Sequence, residues 1–133
     1  MKTTSEPLGC SEDVYAYAAP VFRRWKWEQE AFVVFALDAK HRVIGKPIVA
    51  AVGTASSVQV HPRDVFREAI RRNACCVIVS HCHPSGDLEP SLQDRELTGR
   101  LNQAAEVLGI SLLDHVIVAQ DAHYSMERNG RLR

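Results

Sequence analysis

Two short apolar runs, residues 31–37 and 74–79, set the strongest limit on what this chain can fold into. Both contain many β-formers and carry apolar side chains at consecutive positions. A strand with one wet face alternates polar and apolar residues, whereas a continuous apolar run is typical of a strand buried on both faces. The two runs therefore predict central strands of a sheet that is covered on both sides.

Three other segments have strand character, at residues 42–52, 57–60 and 110–118, and a short last strand is expected over 124–126. Gly45 and Pro47 indicate a bend in the first of these. Strands that follow one another at short spacing usually pair with their sequence neighbours. The segments over 31–37, 42–52 and 57–60 therefore predict an antiparallel meander.

Three helices are predicted. The first has Ser11 as its N-cap, acidic residues in its first turn, and an end near Pro20. The second begins at Pro62 and stops at Asn73, and the third ends at Gly109. The apolar stripe of the second helix is Val65, Phe66, Ala69 and Ile70. The stripe of the third is Leu92, Leu97, Leu101, Ala105 and Leu108. Helices and strands mixed in one unit predict an α/β fold of the mixed α+β kind.

Length and charge limit the function classes. The chain has 133 residues, about the size of one domain, and 16 Lys+Arg balance 16 Asp+Glu to a net charge of zero. This balance argues against a strongly basic protein that coats nucleic acid, so DNA is a partner that the net charge does not favour. The longest apolar run is too short for a membrane helix, and the N-terminus has no signal-peptide pattern. We expect a soluble cytoplasmic protein without membrane association.

The segment most informative about chemistry begins where the second buried strand ends. His81 and His83 are two residues apart, so on a strand that continues to His83 they lie on the same side, with Cys82 on the other. Two imidazoles on one face suit a tetrahedral zinc site. The alternative is an exposed loop pair, because two histidines at this spacing also occur by chance in a chain with six. No Cys-x-x-Cys pair is present, which argues against a zinc ribbon.

Ser91 and Asp94 allow two interpretations. Ser-x-x-Asp before an amphipathic helix is a capping-box pattern, with Ser91 as N-cap and Asp94 turned back toward it. Residues three apart on a helix also share a face, so both side chains could face the two histidines. Asp94 would then be a third zinc ligand and leave the fourth position to water, as in catalytic zinc sites.

A zinc hydrolase also needs a general base near the attacking water. Glu28 and Glu30 precede the first central strand and alternate in phase with its residues, so either could reach a site beside a neighbouring strand. The spacing does not choose between them, and both could be solvated acids. His115 next to Asp114 indicates a structural hydrogen-bonding pair, with a position near the site as the alternative.

The composite pattern His81-x-His83-Pro84-x-Gly86, followed by Pro90-Ser91-x-x-Asp94, resembles the JAMM signature of MPN/JAB-domain metallopeptidases. More narrowly, the chain resembles the bacterial RadC proteins. Further matches follow the family's order along nearly the whole chain: Glu30-x-Phe32, Gly53-Thr54, His61-Pro62-Arg63, Asn73-Ala74, Thr98, Leu108-Gly109-Ile110, Leu112-Leu113-Asp114-His115 and Tyr124-Ser125.

The resemblance implies an MPN/JAB fold, a layered sheet like that of cytidine deaminases, flanked by helices and with a zinc site at the sheet edge. It implies one zinc ion per chain, held by His81, His83 and Asp94. It selects Glu30 rather than Glu28 as the catalytic base, and it assigns Ser91 to stabilising the oxyanion. On this basis residues 28–133 form the MPN/JAB domain, with residues 1–27 as a helix and connector packed on it.

Two departures from the family pattern lie inside this domain. Cys82 replaces an asparagine between the histidines and is expected to face away from the zinc, and Met126 replaces a phenylalanine in the core. We expect this chain to lack the helix-hairpin-helix region that precedes the domain in longer RadC proteins, which weakens the expectation of DNA binding.

The favoured function is a zinc-dependent hydrolase that acts on a peptide or isopeptide bond of a peptide or protein substrate. The alternative is an interaction module of the same fold that acts in DNA repair or mobile-element biology without peptidase activity. A zinc nucleobase deaminase is disfavoured because His-x-Glu and Pro-Cys-x-x-Cys do not occur.

Overall fold

The computed structural model describes residue 3, residues 6–53 and residues 60–132. These residues contain the helices α1 (Ser11–Arg23), α2 (Pro62–Arg71) and α3 (Leu92–Leu108). Their strands are β1 (Glu30–Leu37), β2 (Ile48–Gly53), β3 (Cys76–Cys82), β4 (Ser111–Val118) and β5 (His123–Ser125). The strands form one sheet in the order β2-β1-β3-β4-β5. Only β3 and β4 pair in parallel, so the sheet is mixed and the expected α/β class is confirmed.

The two apolar runs become the central strands β1 and β3, as predicted. Every residue of β3 is buried, and so is every residue of β1 after Glu30. Their side chains alternate between two separate cores. Phe32 and Val79 belong to the core that includes residues of α2 and α3, whereas Val33 and Ile78 belong to the core that includes residues of α1. Both faces of the sheet are therefore covered.

The first helix differs from its prediction at both ends. Its N-cap is Cys10, and Ser11 is the first helical residue rather than the cap. Pro20 lies inside the helix, which continues to Arg23. A proline removes one backbone hydrogen bond from a helix interior. Here the last turn is held by tertiary packing, because Phe22 is fully buried and its ring contacts Trp27 at 6.1 Å between centroids.

The second helix begins at Pro62 as predicted, and Asn73 follows its end with a left-handed φ of 57°. Ile70 is 54% exposed, so the prediction that it belongs to the apolar stripe is wrong. With about 100° of rotation per residue, Ile70 lies roughly a quarter turn from the centre of the stripe formed by the buried Val65, Phe66 and Ala69.

The third helix has the predicted bounds, with Gly109 at its C-cap. Leu101 and Ala105 are buried. Leu92 and Leu108 are 71% and 44% exposed, so the predicted stripe is buried only in its middle. These two residues stand at the first and last positions of the helix, whereas the buried residues occupy its middle turns.

Strand boundaries differ where the chain bends. The predicted strand over 42–52 is reduced to β2, because Gly45 adopts a φ of 75° and only Val43 forms an isolated bridge to β1. The antiparallel pairing of β1 with β2 is confirmed. The predicted strand over 57–60 lies outside the described residues except for Val60, which is buried and not in a strand. The last two strands occur within one residue of their predicted positions.

All four cysteines lie in the described part of the chain, and none forms a disulfide. Among the helices described, none combines the length and apolar character needed to cross a membrane.

Substitution of glycine by alanine should change the free energy of unfolding in opposite directions at Gly99, inside α3, and at Gly109, the C-cap of α3. Gly109→Ala should lower the free energy of unfolding by about 1 kcal/mol, because the φ of 70° at this C-cap strains a residue with a Cβ. Gly99→Ala should raise it by about 0.5–1 kcal/mol, since Gly99 lies exposed inside the helix and a Cβ there meets no described heavy atom within 4 Å. Urea unfolding of both variants measures the difference, and the same sign for both would contradict this account.

Candidate metal site

The antiparallel pairing of β1 with β3 brings the first site residues together. Phe32 pairs with His81, and the register runs without interruption to the far ends of both strands. If the same register is extended by two residues beyond this pair, Glu30 lies opposite His83. Alternation along a strand then puts Glu30 on the same side of β1 as Phe32, whose ring stacks on that of His81 at 5.9 Å between centroids. The site therefore lies at the ends of two central strands rather than along an outer strand.

The two histidines converge as the sequence predicted. Nε2 of His81 and Nε2 of His83 are 3.0 Å apart. Glu30, His81 and His83 form a group whose potential ligand atoms all lie within 4.8 Å of one another, and such a group could hold a metal ion. Glu28 is exposed and lies in the turn before β1, so only the second of the two candidate acids reaches this group.

Cys82 faces the other side of the sheet, as expected. Its side chain belongs to the core on the α1 side, and its Sγ lies 3.1 Å from the backbone oxygen of Gln29. Burial raises the pKa of the Cys82 thiol, so the thiol stays protonated and is a poor ligand. Cysteine in place of the family's asparagine at this position therefore leaves the side of the strand that carries the two histidines unaltered.

A tight turn fixes His83 after the strand ends. Pro84 follows His83 directly, and the N–H of Gly86 donates to the backbone oxygen of His83 at 2.8 Å. Gly86 has a φ of 82°, which glycine adopts without strain. The turn brings the backbone oxygen of Asp87 to 2.8 Å from Nδ1 of His83. A carbonyl oxygen only accepts, so Nδ1 carries the proton and the neutral ring has its lone pair on Nε2.

Ser91 and Asp94 form the predicted capping box, and the Asp94 side chain also faces the two histidines. Ser91 is the N-cap of α3, where its Oγ accepts from the N–H of Asp94 at 3.0 Å and its own N–H donates to Asp94 Oδ2 at 2.8 Å. The same carboxylate also faces the histidines. Its Oδ1 lies 3.2 Å from Nε2 of His81, and its Oδ2 lies 3.1 Å from Nε2 of His83. The capping box therefore holds Asp94 against the histidine pair.

The two carboxylates of the site have opposite electrostatic surroundings. Burial raises the pKa of Asp94, but the hydrogen bonds with His81 and His83 outweigh this effect and hold it well below its ordinary value. Burial also raises the pKa of Glu30, and here the histidines only partly offset the effect, so the net pKa is raised. The hydrogen bond with Asp94 raises the pKa of His83.

His115 lies directly behind His81. Its Nε2 is 2.7 Å from Nδ1 of His81, and its Nδ1 is 2.6 Å from Oγ1 of Thr98. Burial lowers the pKa of the fully buried His115 well below its usual value, so the ring is neutral. The expected structural pair with Asp114 involves only the backbone, because the N–H of His115 donates to the Asp114 carboxylate at 2.7 Å. The alternative prediction is correct for the imidazole ring of His115, which lies next to the histidine pair.

A bulge in β4 explains why His115 faces the site. The pairing of β3 with β4 shifts by one residue between Val77 and Ile78, so Leu113 is an extra residue on β4. Leu112 before the shift packs in the core on the α2 and α3 side, whereas Val116 after it packs on the α1 side. Without the bulge, regular alternation from Leu112 would direct His115 away from His81.

An open cavity of about 480 Å³ adjoins the site. Its walls include Glu30, His83 and Ser91, together with residues of the loop between β3 and α3: Pro84, Ser85, Asp87, Glu89 and Pro90. A ligand that enters this cavity from solvent can therefore contact an acid, an imidazole and a hydroxyl that originate from three different parts of the chain.

The His83–Asp94 pair predicts a pH-dependent stability in metal-free protein. The raised pKa of His83 stabilises the fold below its ordinary value of 6.5, and this contribution is lost as pH rises through the raised pKa. The lowered pKa of Asp94 stabilises the fold above its ordinary value of 3.8, and this contribution is lost as pH falls. Asp94→Asn should therefore cost more free energy of unfolding at about pH 5 than at about pH 9, by on the order of 1 kcal/mol.

Denaturant unfolding in the presence of a chelator measures this difference. Asp121→Asn makes the same change of charge in an exposed loop and serves as the control, for which the cost should not vary with pH in this way. An Asp94→Asn cost that is equal at both pH values would contradict the described pairing.

Comparison with known proteins shows extensive similarity to one family. A family model described as the RadC-like JAB domain matches residues 8–131. The chain is 48% identical over 127 residues to a UPF0758 protein of Thermotoga maritima, an alignment that covers 96% of this chain and 55% of that relative. It is 50% identical over 105 residues to a UPF0758 protein of Rubrobacter xylanophilus, covering 79% of this chain and 45% of the relative.

The chain spans about half the length of the curated relatives it matches. The similarity nevertheless covers both central strands, the helix that carries Asp94 and the strand that carries His115. On the extent of the family match and the identity to these relatives, the chain belongs to the RadC-like JAB domain family.

Proposed function

We propose that this protein is a zinc-dependent hydrolase that cleaves a peptide or isopeptide bond. The observation that supports the proposal most is the convergence of four polar side chains from separate elements. Glu30 begins β1, His81 and His83 come from the end of β3, and Asp94 lies in the first turn of α3. A convergent polar group beside an open cavity is the usual arrangement of a catalytic site.

The side chains present fit a zinc ion. Zinc in catalytic sites takes three protein ligands from imidazole nitrogen and carboxylate oxygen, and His81, His83 and Asp94 offer this set. His83 has its Nδ1 proton engaged by Asp87, which leaves Nε2 available. When bound, zinc supplies a Lewis acid that activates water and polarises a carbonyl oxygen.

The opposite pKa shifts of the two acids divide their roles. Asp94, whose pKa is held low, stays an anion at all ordinary pH values and suits a ligand. Glu30, whose pKa is raised by burial, is closer to the range in which a carboxylate both accepts and returns a proton. Two carboxylates with pKa values driven apart by their surroundings are a recurrent sign of separate catalytic roles.

In the proposed reaction Glu30 acts twice. Its carboxylate first accepts a proton from the water that attacks the scissile carbonyl carbon. The carboxylic acid then donates this proton to the leaving amine nitrogen as the carbon–nitrogen bond breaks. Glu30 is half-exposed at the cavity wall, so it can reach both a water and a bound substrate.

Ser91 is proposed to stabilise the oxyanion. Its Oγ accepts from the backbone N–H of Asp94, so the hydroxyl proton remains to be donated into the cavity, whose wall Ser91 forms. A donor fixed by a helix cap needs little reorganisation when negative charge develops on the carbonyl oxygen.

Metal binding is the first test. Metal analysis and zinc titration of the full chain should give one zinc ion for the wild type and an affinity reduced by at least about 100-fold for His81→Ala, which removes a ligand from a set of three. His41→Asn is the matched control, since His41 is exposed, has a φ of 63° that asparagine tolerates, and lies on the loop after β1. A wild type without affinity for zinc would contradict the proposal.

Glu30→Gln tests the catalytic base. The variant should keep its zinc but hydrolyse a labelled denatured protein or an isopeptide-linked peptide pair about 100- to 10,000-fold more slowly, because general-base catalysis contributes this much. Glu28→Gln carries the same chemical change two residues earlier on an exposed side chain and should retain activity. Equal activity of Glu30→Gln and wild type would remove Glu30 from this role. Salt-sensitive DNA binding without any hydrolysis would favour the interaction module instead.

A further inference from the structure

We infer that Thr98 and His115 are positioning residues that fix the tautomer of His81, so that its Nε2 lone pair faces the metal position. The inference rests on the proposed function, because it assigns these residues a purpose toward a metal bound at His81. It starts from a chain of four groups behind the site: the backbone oxygen of Asp94, the Thr98 hydroxyl, and the rings of His115 and His81.

Thr98 sets the direction in which protons are donated along these hydrogen bonds. Oγ1 of Thr98 lies 2.8 Å from the backbone oxygen of Asp94, one helical turn earlier, and 3.7 Å from Sδ of Met126. Both of these atoms can only accept, and the 2.8 Å hydrogen bond to the Asp94 oxygen forms only when the single hydroxyl proton of Thr98 is donated there. The hydroxyl oxygen is then left with lone pairs for its remaining neighbour, Nδ1 of His115.

The two rings follow in sequence. Nδ1 of His115 donates its proton to Oγ1 of Thr98 across 2.6 Å, and the neutral ring therefore has a lone pair on Nε2. That Nε2 accepts the Nδ1 proton of His81 across 2.7 Å. His81 then has its own lone pair on Nε2, the atom that faces His83 and Asp94.

Hydrogen bonds donated in the opposite direction, from Thr98 toward His81, would oppose metal binding. If His115 carried its proton on Nε2, it would donate to Nδ1 of His81, and His81 would hold a proton on the nitrogen that must bind the metal. Thr98 would also have to give up its bond to the Asp94 oxygen in order to donate to His115. Bonds that orient a ligand histidine through its other nitrogen are a general requirement of metal sites.

The residues around these hydrogen-bonded groups make the arrangement rigid. Thr98 is 1% exposed, His81 is 2% exposed and His115 is fully buried. The Phe32 ring packs against both imidazoles. It stacks on the ring of His81 and makes an edge contact with the ring of His115, at 5.6 Å between centroids. Water therefore has little access to substitute for either hydrogen bond. His83, nearer the surface, reaches the same tautomer by a direct bond to the Asp87 carbonyl oxygen.

Thr98→Val and Thr98→Ser form the matched pair that tests the inference. Valine keeps the shape of threonine but removes the hydroxyl, which leaves the buried Nδ1 proton of His115 without an acceptor whenever His81 binds metal. Zinc affinity of the full chain should fall by about 10- to 100-fold in Thr98→Val. Thr98→Ser restores the hydroxyl and should restore the affinity. Equal zinc affinity of wild type and Thr98→Val, with both folded, would overturn the inference and leave the proposed function standing.

A second measurement observes the tautomers directly. Nitrogen-15 NMR of the histidine rings in the zinc-loaded wild type distinguishes the two tautomers. The Nδ1–H form is expected for both His81 and His115, and a mixture of forms is expected for His115 in zinc-loaded Thr98→Val. An Nε2–H form of His115 in the zinc-loaded wild type would overturn the inference and leave the proposed function standing. A wild type without affinity for zinc would contradict the proposed function itself.

Discussion

The site depends on the uninterrupted register between β1 and β3. Because Phe32 pairs with His81, the acid that begins β1 and the histidines that end β3 arrive at one place without any long loop to position them. The pairing is strongly specified, since each strand is buried on both faces and a slip by one residue would exchange the contents of two separate cores. Hydrophobic burial on both sides of the sheet thus determines the geometry of a polar group at its end.

Asp94 links the folding of α3 to the chemistry of the site. Its carboxylate completes the capping box with Ser91 and also lies 3.2 Å from Nε2 of His81 and 3.1 Å from Nε2 of His83. Capping contributes about 1 kcal/mol to a helix, and the same contacts hold the pKa of Asp94 low. A carboxylate that is already fixed by a cap would lose little conformational freedom if it bound a metal. These contacts explain why a capping box and a carboxylate turned toward the histidines, which compete as interpretations of the sequence, coexist in the structure.

Features set by local pattern could be predicted from the sequence, whereas features that depend on packing between elements could not. Continuous apolar runs identified β1 and β3, and a spacing of two put His81 and His83 on one side. The role of His115 could not be predicted in this way, because its direction depends on a bulge in β4 for which residues 110–118 carry no local signal. Likewise, Pro20 indicated a helix end, but burial of Phe22 keeps the last turn helical.

The polar groups behind and around the histidines show how a buried site can be both polar and stable. An unpaired polar atom costs free energy inside a protein, so each ring nitrogen needs a partner. Nδ1 of His83 has the Asp87 carbonyl oxygen, and Nδ1 of His81 has His115, which in turn has Thr98. Only the two Nε2 atoms face one another and the carboxylates. With a partner on each Nδ1, the two Nε2 atoms and the Asp94 carboxylate are left to face a common point, and this is the arrangement that holding a cation there would require.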